Sequence, residues 1–320
     1  MTLTQCRREM ILMPKPAILP TRPADPTGVD ALERKAMGDF SARLRKCKKA
    51  YIDGLNRIPA DLSVNAKYAF RLNPGTMSAI LSGAGATVDS ILLEGGPENL
   101  WFFQQYVSVG YARGTAQEYA NLKNQSPVYQ AARTTAAELI SRPAYRNRIA
   151  LIAAREYEEM QSFSSTVKAD FGRILTDGVA RGRNPREIAK DIARVTDMEA
   201  YKARRIARTE VTTALRRARW DEHDDAVETL NLTFKLMHYS ALSPTTRRSH
   251  AERHAHLYTS EEVREWYSQG GNSINCKCTQ ISVLVDDSGD PVVPRIVDRA
   301  RATEKKMRAR AEGPWAQEAA

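Results

Sequence analysis

The hydrophobic pattern of the chain changes from a helical period to a strand period. From Ala36 the apolar residues are spaced by four and three, which predicts a helix with one buried face. This stripe consists of Phe40, Leu44, Cys47, Tyr51 and Leu55. Much later, apolar and polar residues alternate, which predicts a half-buried strand. The alternating apolar residues are Leu230, Leu232, Phe234 and Leu236.

Turn and capping residues divide the rest of the chain. Between residues 60 and 150, helical segments are interrupted at 73–75, 95–97 and 126–127, where Pro and Gly concentrate. Asn184 and Pro185 are an N-cap and a first helical residue, so a helix is predicted to start at Pro185. The segment TQISVLV at 279–285 predicts a second strand, followed by a turn at 286–290.

The polar segment between the two predicted strands contains a short helix. Thr259 and Glu262 are spaced as a capping box, and Gly270-Gly271 is predicted to stop this helix. The fold class is therefore α+β, with mostly helical N-terminal and middle regions and a small C-terminal α+β domain containing a short sheet.

Composition shifts suggest four regions. Residues 1–26 are expected to form an extended N-terminal arm, because five prolines fall between positions 14 and 26. Residues 27–150 are expected to be a helical domain that contacts partners, and 151–290 to be a second domain. Residues 291–320 read as a basic C-terminal tail.

The charge of the chain favours a polyanionic partner. Its 320 residues contain 48 Lys and Arg against 38 Asp and Glu, a net charge of +10. Residues 201–220 hold seven basic residues and one acid, hence 7 − 1 = +6. On a helix this predicts a phosphate-facing stripe, and the alternative is a solvated face. The predicted nucleic-acid contacts are Arg204, Arg205, Arg208, Arg216, Arg217 and Arg219.

Cysteine use indicates a reducing compartment. Cys276 and Cys278 are one residue apart, where a disulfide would be strained, and Cys6 and Cys47 are distant in sequence. The apolar stretch near the N-terminus is cut off at Pro14, so no secretory signal is expected. No segment is expected to approach bilayer length, and no membrane partner is predicted.

The two neighbouring thiols can be explained by a metal or by packing. His250, His254, Cys276 and Cys278 supply the ligand types of tetrahedral zinc, and the two histidines are spaced i and i+4 as on one helical face. His238 and His256 are secondary candidates. In the alternative, both thiols pack at the start of a strand and no metal is bound. A structural zinc is the one cofactor considered.

Three ordered motifs resemble the phage minor head protein, or head morphogenesis, family, which includes protein F of phage Mu. The motifs are IARTEVTTAL at 206–215, TTRRSH at 245–250 and NCKCTQISVLV at 275–285. The matching motif residues are Arg208, Thr209, Glu210, Thr246, Arg247, His250, Cys276 and Cys278. Ser243 and Thr245 depart from the family pattern, which has Asp and Arg there. The resemblance covers roughly residues 165–285.

This resemblance implies a structural protein rather than an enzyme. It implies a minor capsid protein of a tailed phage or prophage, at the portal or inside the head, made in the host cytoplasm. The expected partners are portal protein, major capsid or scaffold proteins, and double-stranded DNA bound without sequence preference. Two alternatives remain: a metal-dependent nuclease with Asp224 or Asp225 as base, and a zinc-bearing nucleic-acid-binding protein.

Overall fold

The computed structural model describes residues 14–63, 67–310, 313, 315 and 316. It is 67% helical with a short three-stranded sheet towards the C-terminal end, which confirms the predicted α+β class. Cys6 and the first half of the predicted N-terminal arm lie outside the described residues. In chain order the helices are α1 Asp30–Asn56, α2 Pro74–Leu92, α3 Gly96–Asn99, α4 Ser108–Gln125, α5 Pro127–Ala132, α6 Ala136–Ser141, α7 Pro143–Ala180, α8 Pro185–Leu230, α9 Arg248–Glu252, α10 Ser260–Ser268 and α11 Arg295–Arg308, with a π-helical turn at Phe103–Val107.

The strands form a small hairpin and a three-stranded antiparallel sheet. The hairpin pairs β1 (Ala60–Leu62) with β2 (Tyr68–Phe70) and was not predicted from the sequence pattern. The sheet has β3 (Phe234–Tyr239) at its centre, between β4 (Leu257–Tyr258) and β5 (Thr279–Leu284). In its register His238 faces Gln280, so two polar side chains meet in the middle of the sheet.

The chain divides into two compact units, each built from separate stretches of sequence. The sheet unit contains the described residues up to Leu32, Val107–Arg146 and the described residues from Thr209 onwards. The hairpin unit contains Glu33–Tyr106 and Asn147–Arg208. The predicted boundaries at 150 and 290 do not coincide with this division, because residues distant in sequence pack together within each unit.

The core of the hairpin unit contains the predicted apolar stripe of α1. All five stripe residues are buried, as expected. Phe40 meets the rings of Trp101 and Phe102 edge-on at 4.9 Å. Burial raises the pKa of the Cys47 thiol to about 12. This cysteine is therefore an inert core residue.

The sheet unit covers one face of its sheet with α11. Ile296 and Ala300 of this helix are fully buried against Met237 and Ile281, and Ala17 joins the same cluster. The predicted basic tail is thus, over Arg295–Arg308, a docked amphipathic helix with its charged residues outward. The helix has too few apolar residues for its buried face to be recognised from the composition of the tail alone.

Helices α4 and α8 approach closely because of two glycines. A Cβ atom added to Gly114 would lie 2.3 Å from the carbonyl oxygen of Leu215, and one added to Gly110 would lie 3.0 Å from that of Val211. Since Cβ atoms do not come within 3.0 Å of such atoms, only glycine permits this helix crossing at position 114.

The free edge of β5 is covered by amide side chains of α4. Asn121 and Gln125 donate to the carbonyl oxygen of Ser282 at 2.9 and 2.8 Å, and Gln125 accepts from the backbone N–H of Leu284 at 2.9 Å. These side chains bond the backbone groups that a neighbouring strand would otherwise bond. The strand is therefore buried on its open side as well.

Local signals placed several element boundaries correctly and one incorrectly. Helix α8 begins at Pro185 with Asn184 Oδ1 accepting from the backbone of Arg186, and the capping box of α10 is present. The strand predicted from Leu230 begins at Phe234 instead. Leu230 ends α8, and Asn231 leaves the helix with a φ of 50°. The alternating pattern therefore spans a helix end as well as a strand.

Within the described part of the chain, one helical stretch is long and apolar enough to cross a membrane by length and composition alone. It is Pro74–Asn99, and 17% of its most apolar window is buried. This contradicts the expectation that no segment approaches bilayer length. Its apolar character comes mainly from scattered Ile, Leu and Val side chains, which are separated by Gly, Ala, Ser and Thr rather than forming one continuous run. Length and composition by themselves do not establish a membrane span.

Candidate functional site

The three sequence motifs meet around one loop, residues 270–278, which we call the thiol loop. Arg247 donates to the backbone carbonyls of Gly271, Asn272 and Ile274 at 3.0–3.1 Å. One guanidinium therefore binds three carbonyl groups of an irregular segment. Its planar, multi-donor shape suits this task, which a lysine could not reproduce.

Helix α8 holds the other end of the thiol loop. Thr209 Oγ1 accepts from the backbone N–H of Asn275 at 2.9 Å, where the chain adopts a φ of 57°. Arg216 is fully buried and donates to the carbonyl oxygen of Cys276 at 3.0 Å. Its guanidinium carbon also lies 4.5 Å from the ring centroid of Tyr267. Two turns of α8 thus fix the backbone on both sides of the first thiol.

The segment before α9 forms its own turn. Thr246 Oγ1 accepts from the backbone N–H of Ser243 at 2.9 Å, and the Ser243 hydroxyl lies 3.1 Å from the same oxygen. Ser243 stands where the family pattern has Asp. Here a serine hydroxyl and a threonine hydroxyl form the turn without a carboxylate.

A buried cluster of histidine and cysteine side chains lies beneath the thiol loop. His250 Nδ1 is 3.4 Å from Cys276 Sγ and 3.6 Å from Cys278 Sγ. Ring nitrogens of His238 and His250 and the Cys278 sulfur all lie within 4.8 Å of one another. These four residues are each no more than 3% exposed. Among the described residues, His238, His250 and Cys278 are close enough together to hold a metal ion, and Cys276 adjoins them through its contact with His250.

His254, a predicted metal ligand, does not join this cluster. Helix α9 ends at Glu252, so His250 and His254 do not share a helical face. His254 Nδ1 accepts from the backbone of Ser240 at 3.0 Å, and Nε2 lies 3.0 Å from the carbonyl oxygen of Ala300. Both ring nitrogens are thus occupied, and His254 links β3 to α11. The second histidine of the cluster is therefore His238, and not His254 as predicted from the i, i+4 spacing.

Burial and mutual contacts change the acidities of these groups in opposite directions. The hydrogen bond with Cys278, together with the charge of Arg216, holds the pKa of the Cys276 thiol well below its ordinary value. The same contact raises the pKa of Cys278 well above its ordinary value. Burial lowers the pKa of His238 and of His254, so both imidazoles are neutral. The cluster thus favours one thiolate beside the neutral imidazole of His238.

Several of the six predicted DNA-contacting arginines are internal or paired within the fold. Arg216 binds the thiol loop, and Arg219 is 5% exposed in its ion pair with Glu118 at 2.7 Å. Arg208 pairs with Glu33 at 3.0 Å. The expected continuous phosphate-facing stripe is therefore wrong for Arg216 and Arg219. Burying these charges requires partners within the fold, and periodicity cannot identify such partners.

The remaining basic residues of this segment lie on both units. Arg204 and Arg205 are exposed and belong to the hairpin unit, and Arg217 is half-buried in the sheet unit. Surface arginines such as Arg204 and Arg205 are available to phosphate.

The aspartates considered as a nuclease base are both in ion pairs. Asp224 Oδ2 accepts from Arg264 at 2.6 Å, and Asp225 Oδ2 accepts from Arg133 at 2.7 Å. A carboxylate oxygen that already accepts a hydrogen bond from an arginine is poorly placed to take a proton from a water nucleophile.

Comparison with known proteins supports the motif-based resemblance. Residues 169–281 match the family model described as "Phage Mu protein F like protein". This part of the chain is a phage Mu protein F-like region. The F-like region includes all eight motif residues and ends within β5. The predicted family assignment is thereby confirmed.

A Haemophilus influenzae protein, described as an uncharacterized protein, is 24% identical over 206 residues. The alignment covers 63% of this chain and 43% of that protein, so the chain matches less than half of its relative. No solved structure matches the chain.

Sequence reasoning missed the supporting roles of α8 and the strands. Arg216 and Arg219 were predicted to be surface charges, but each lies where α8 faces the interior of the sheet unit. Gln280 places its amide between Trp220 Nε1 and His238 Nδ1, at 3.0 and 3.1 Å. The available signal was the alternation in β3, which puts His238 on the same face as the buried Leu236.

Proposed function

We propose that this protein is a structural minor capsid protein, acting in head morphogenesis of a tailed phage or prophage. The observation that carries the proposal is the family match of residues 169–281, within which residues from separate motifs bond to one loop. Arg247 and Thr209 come from separate motifs and bind opposite ends of the thiol loop. The motifs therefore have a shared structural purpose, as expected of an assembly protein.

The surroundings of the His–Cys cluster favour a structural over a catalytic role. His250, Cys276 and Cys278 are 2–3% exposed, so a nucleic-acid phosphate would not reach them without unfolding of the loop. A catalytic metal needs an open coordination position and an accessible substrate. With Asp224 and Asp225 in ion pairs as well, the nuclease alternative has little support.

The finer proposal concerns location and partners. We place the protein at the portal or inside the head, with residues 27–150 contacting portal, major capsid or scaffold protein. Its net charge of +10 and the exposed Arg204 and Arg205 support non-specific binding to packaged DNA. This electrostatic contribution is smaller than the full basic segment suggests, because Arg216 and Arg219 are internal.

The proposal is tested in particles produced by a strain that carries the gene. Purified heads should contain the protein by mass spectrometry, and Arg247→Ala should reduce its amount in particles and the infectious titre. Arg247 loses three bonds to the thiol loop in this variant.

Arg248→Ala is the matched control, since Arg248 is exposed and pairs only with Glu252 across one helical turn among its described contacts. Particles of the control should be normal. Heads that lack the wild-type protein, or full titres after deletion of residues 169–281, would refute the head role.

A further inference from the structure

We propose that His238, His250, Cys276 and Cys278 form a structural zinc site that closes the thiol loop onto the sheet. This inference does not depend on a head role. It rests on distances, on a buried nitrogen without a partner, and on the charge of the complete ligand set.

The separations around His250 are those of ligands sharing one tetrahedral zinc. With Zn–S bonds of about 2.3 Å and Zn–N bonds of about 2.0–2.1 Å, a nitrogen and a sulfur lie about 3.5–3.6 Å apart. The observed distances from His250 Nδ1 are 3.4 Å to Cys276 Sγ and 3.6 Å to Cys278 Sγ. One nitrogen has a single hydrogen or a single lone pair, so one hydrogen bond cannot satisfy both sulfurs. One metal ion between them satisfies all three atoms.

The fourth ligand is His238, through its Nε2 atom. This atom is buried and has no hydrogen-bond partner in the part of the chain that the structure describes. An unpaired polar atom in a residue that is 1% exposed is costly, and a metal bond removes that cost. Nδ1 then carries the proton. For this, the Gln280 side-chain amide must turn so that its oxygen accepts a hydrogen bond from the Nδ1–H of His238. Gln280 Oε1 then loses the hydrogen bond that Trp220 Nε1 donates to it.

Charge balance favours the complete site. Two thiolates, two neutral imidazoles and one Zn²⁺ form an electrically neutral complex, which can be buried at moderate cost. The backbone N–H of Cys278 also lies 3.4 Å from Cys276 Sγ, a contact that suits a thiolate ligand. The metal would join β3, α9 and the segment before β5, so its binding energy would become folding energy of the sheet unit.

Zinc content and cobalt spectroscopy test the site. Full-length protein made without a His tag, or refolded with Zn²⁺, should contain about one zinc per chain by elemental mass spectrometry. Replacing any ligand should reduce this to near zero. The four ligand variants are His238→Ala, His250→Ala, Cys276→Ser and Cys278→Ser.

Two matched controls should keep the zinc. Cys47→Ser changes a buried thiol outside the cluster, and His254→Ala changes the histidine whose nitrogens are both hydrogen-bonded. Because a variant could fail to fold, the wild-type protein is also loaded with Co²⁺. Tetrahedral thiolate coordination predicts intense visible bands and a sulfur-to-cobalt charge-transfer band.

Protein that stays metal-free after refolding with Zn²⁺ overturns the proposal. Retention of zinc by both cysteine variants would also overturn it. The same holds if the cobalt-loaded protein shows the weak visible spectrum of six-coordinate Co²⁺. Zinc lost from His254→Ala but kept by His238→Ala would overturn the ligand set.

Discussion

Glu222 carries a buried carboxyl group whose removal should change the pH dependence of stability. It lies on α8 and is 6% exposed, with Tyr129 OH donating to its Oε1 atom. Burial raises its pKa to about 7 from an ordinary 4.5, and the charge of Asp225 contributes in the same direction. The Tyr129 hydrogen bond and the charges of Arg133 and Arg142 oppose this increase. Glu222→Gln keeps the shape and removes the charge.

The direction in which pH changes the stability follows from the number of protons that Glu222 binds in the folded and unfolded states. Between pH 4.5 and about 7, the folded protein holds a proton that the unfolded chain has lost, so its stability falls as the pH rises. At about 1.4 kcal/mol per pKa unit, the full loss is about 3 kcal/mol, and it is complete above about pH 8. Glu222→Gln cannot ionise. Its stability relative to wild type should therefore increase by about 3 kcal/mol between about pH 4 and pH 8.

Urea unfolding of wild type and variant at several pH values measures this difference. Glu228→Gln is the control, because Glu228 is exposed on the same helix and its substitution removes no buried charge. A stability difference for Glu222→Gln that does not change with pH would refute the reasoning, since it would mean that the buried carboxyl is ionised at the same pH in both states.

Two further predictions concern the helix crossing and the DNA contacts. Gly114→Ala should lower the free energy of unfolding by about 1–3 kcal/mol because its Cβ would meet the Leu215 carbonyl, whereas Gly83→Ala, in open space on α2, should raise it by about 0.5–1 kcal/mol. Equal denaturation midpoints would contradict the close crossing. Replacing Arg204 and Arg205 by Glu should weaken binding to DNA of any sequence and flatten its salt dependence by about one unit per lost phosphate contact. Unchanged binding isotherms over a salt series would exclude this surface.

Local chemistry in the sequence was sufficient for the elements that depend on neighbouring residues. The Phe40–Leu55 stripe, the Asn184–Pro185 helix start and the Thr259–Glu262 capping box each involve residues within a few turns of one another. The order of the three motifs could also be recognised in the sequence, and this order indicated the family. Such features depend on spacing along the chain, which the sequence contains directly.

Only the tertiary structure decided which side chains form the site and which charges are internal. His238 replaces His254 in the cluster because β3 and the thiol loop come together, and because α9 ends before His254 can share its face with His250. Arg216 and Arg219 have the same chemistry as the exposed Arg204, yet their partners lie about 60 and 100 residues away in sequence. A charge is buried or solvated according to what packs against it, and helical periodicity specifies a face without specifying the neighbour of that face.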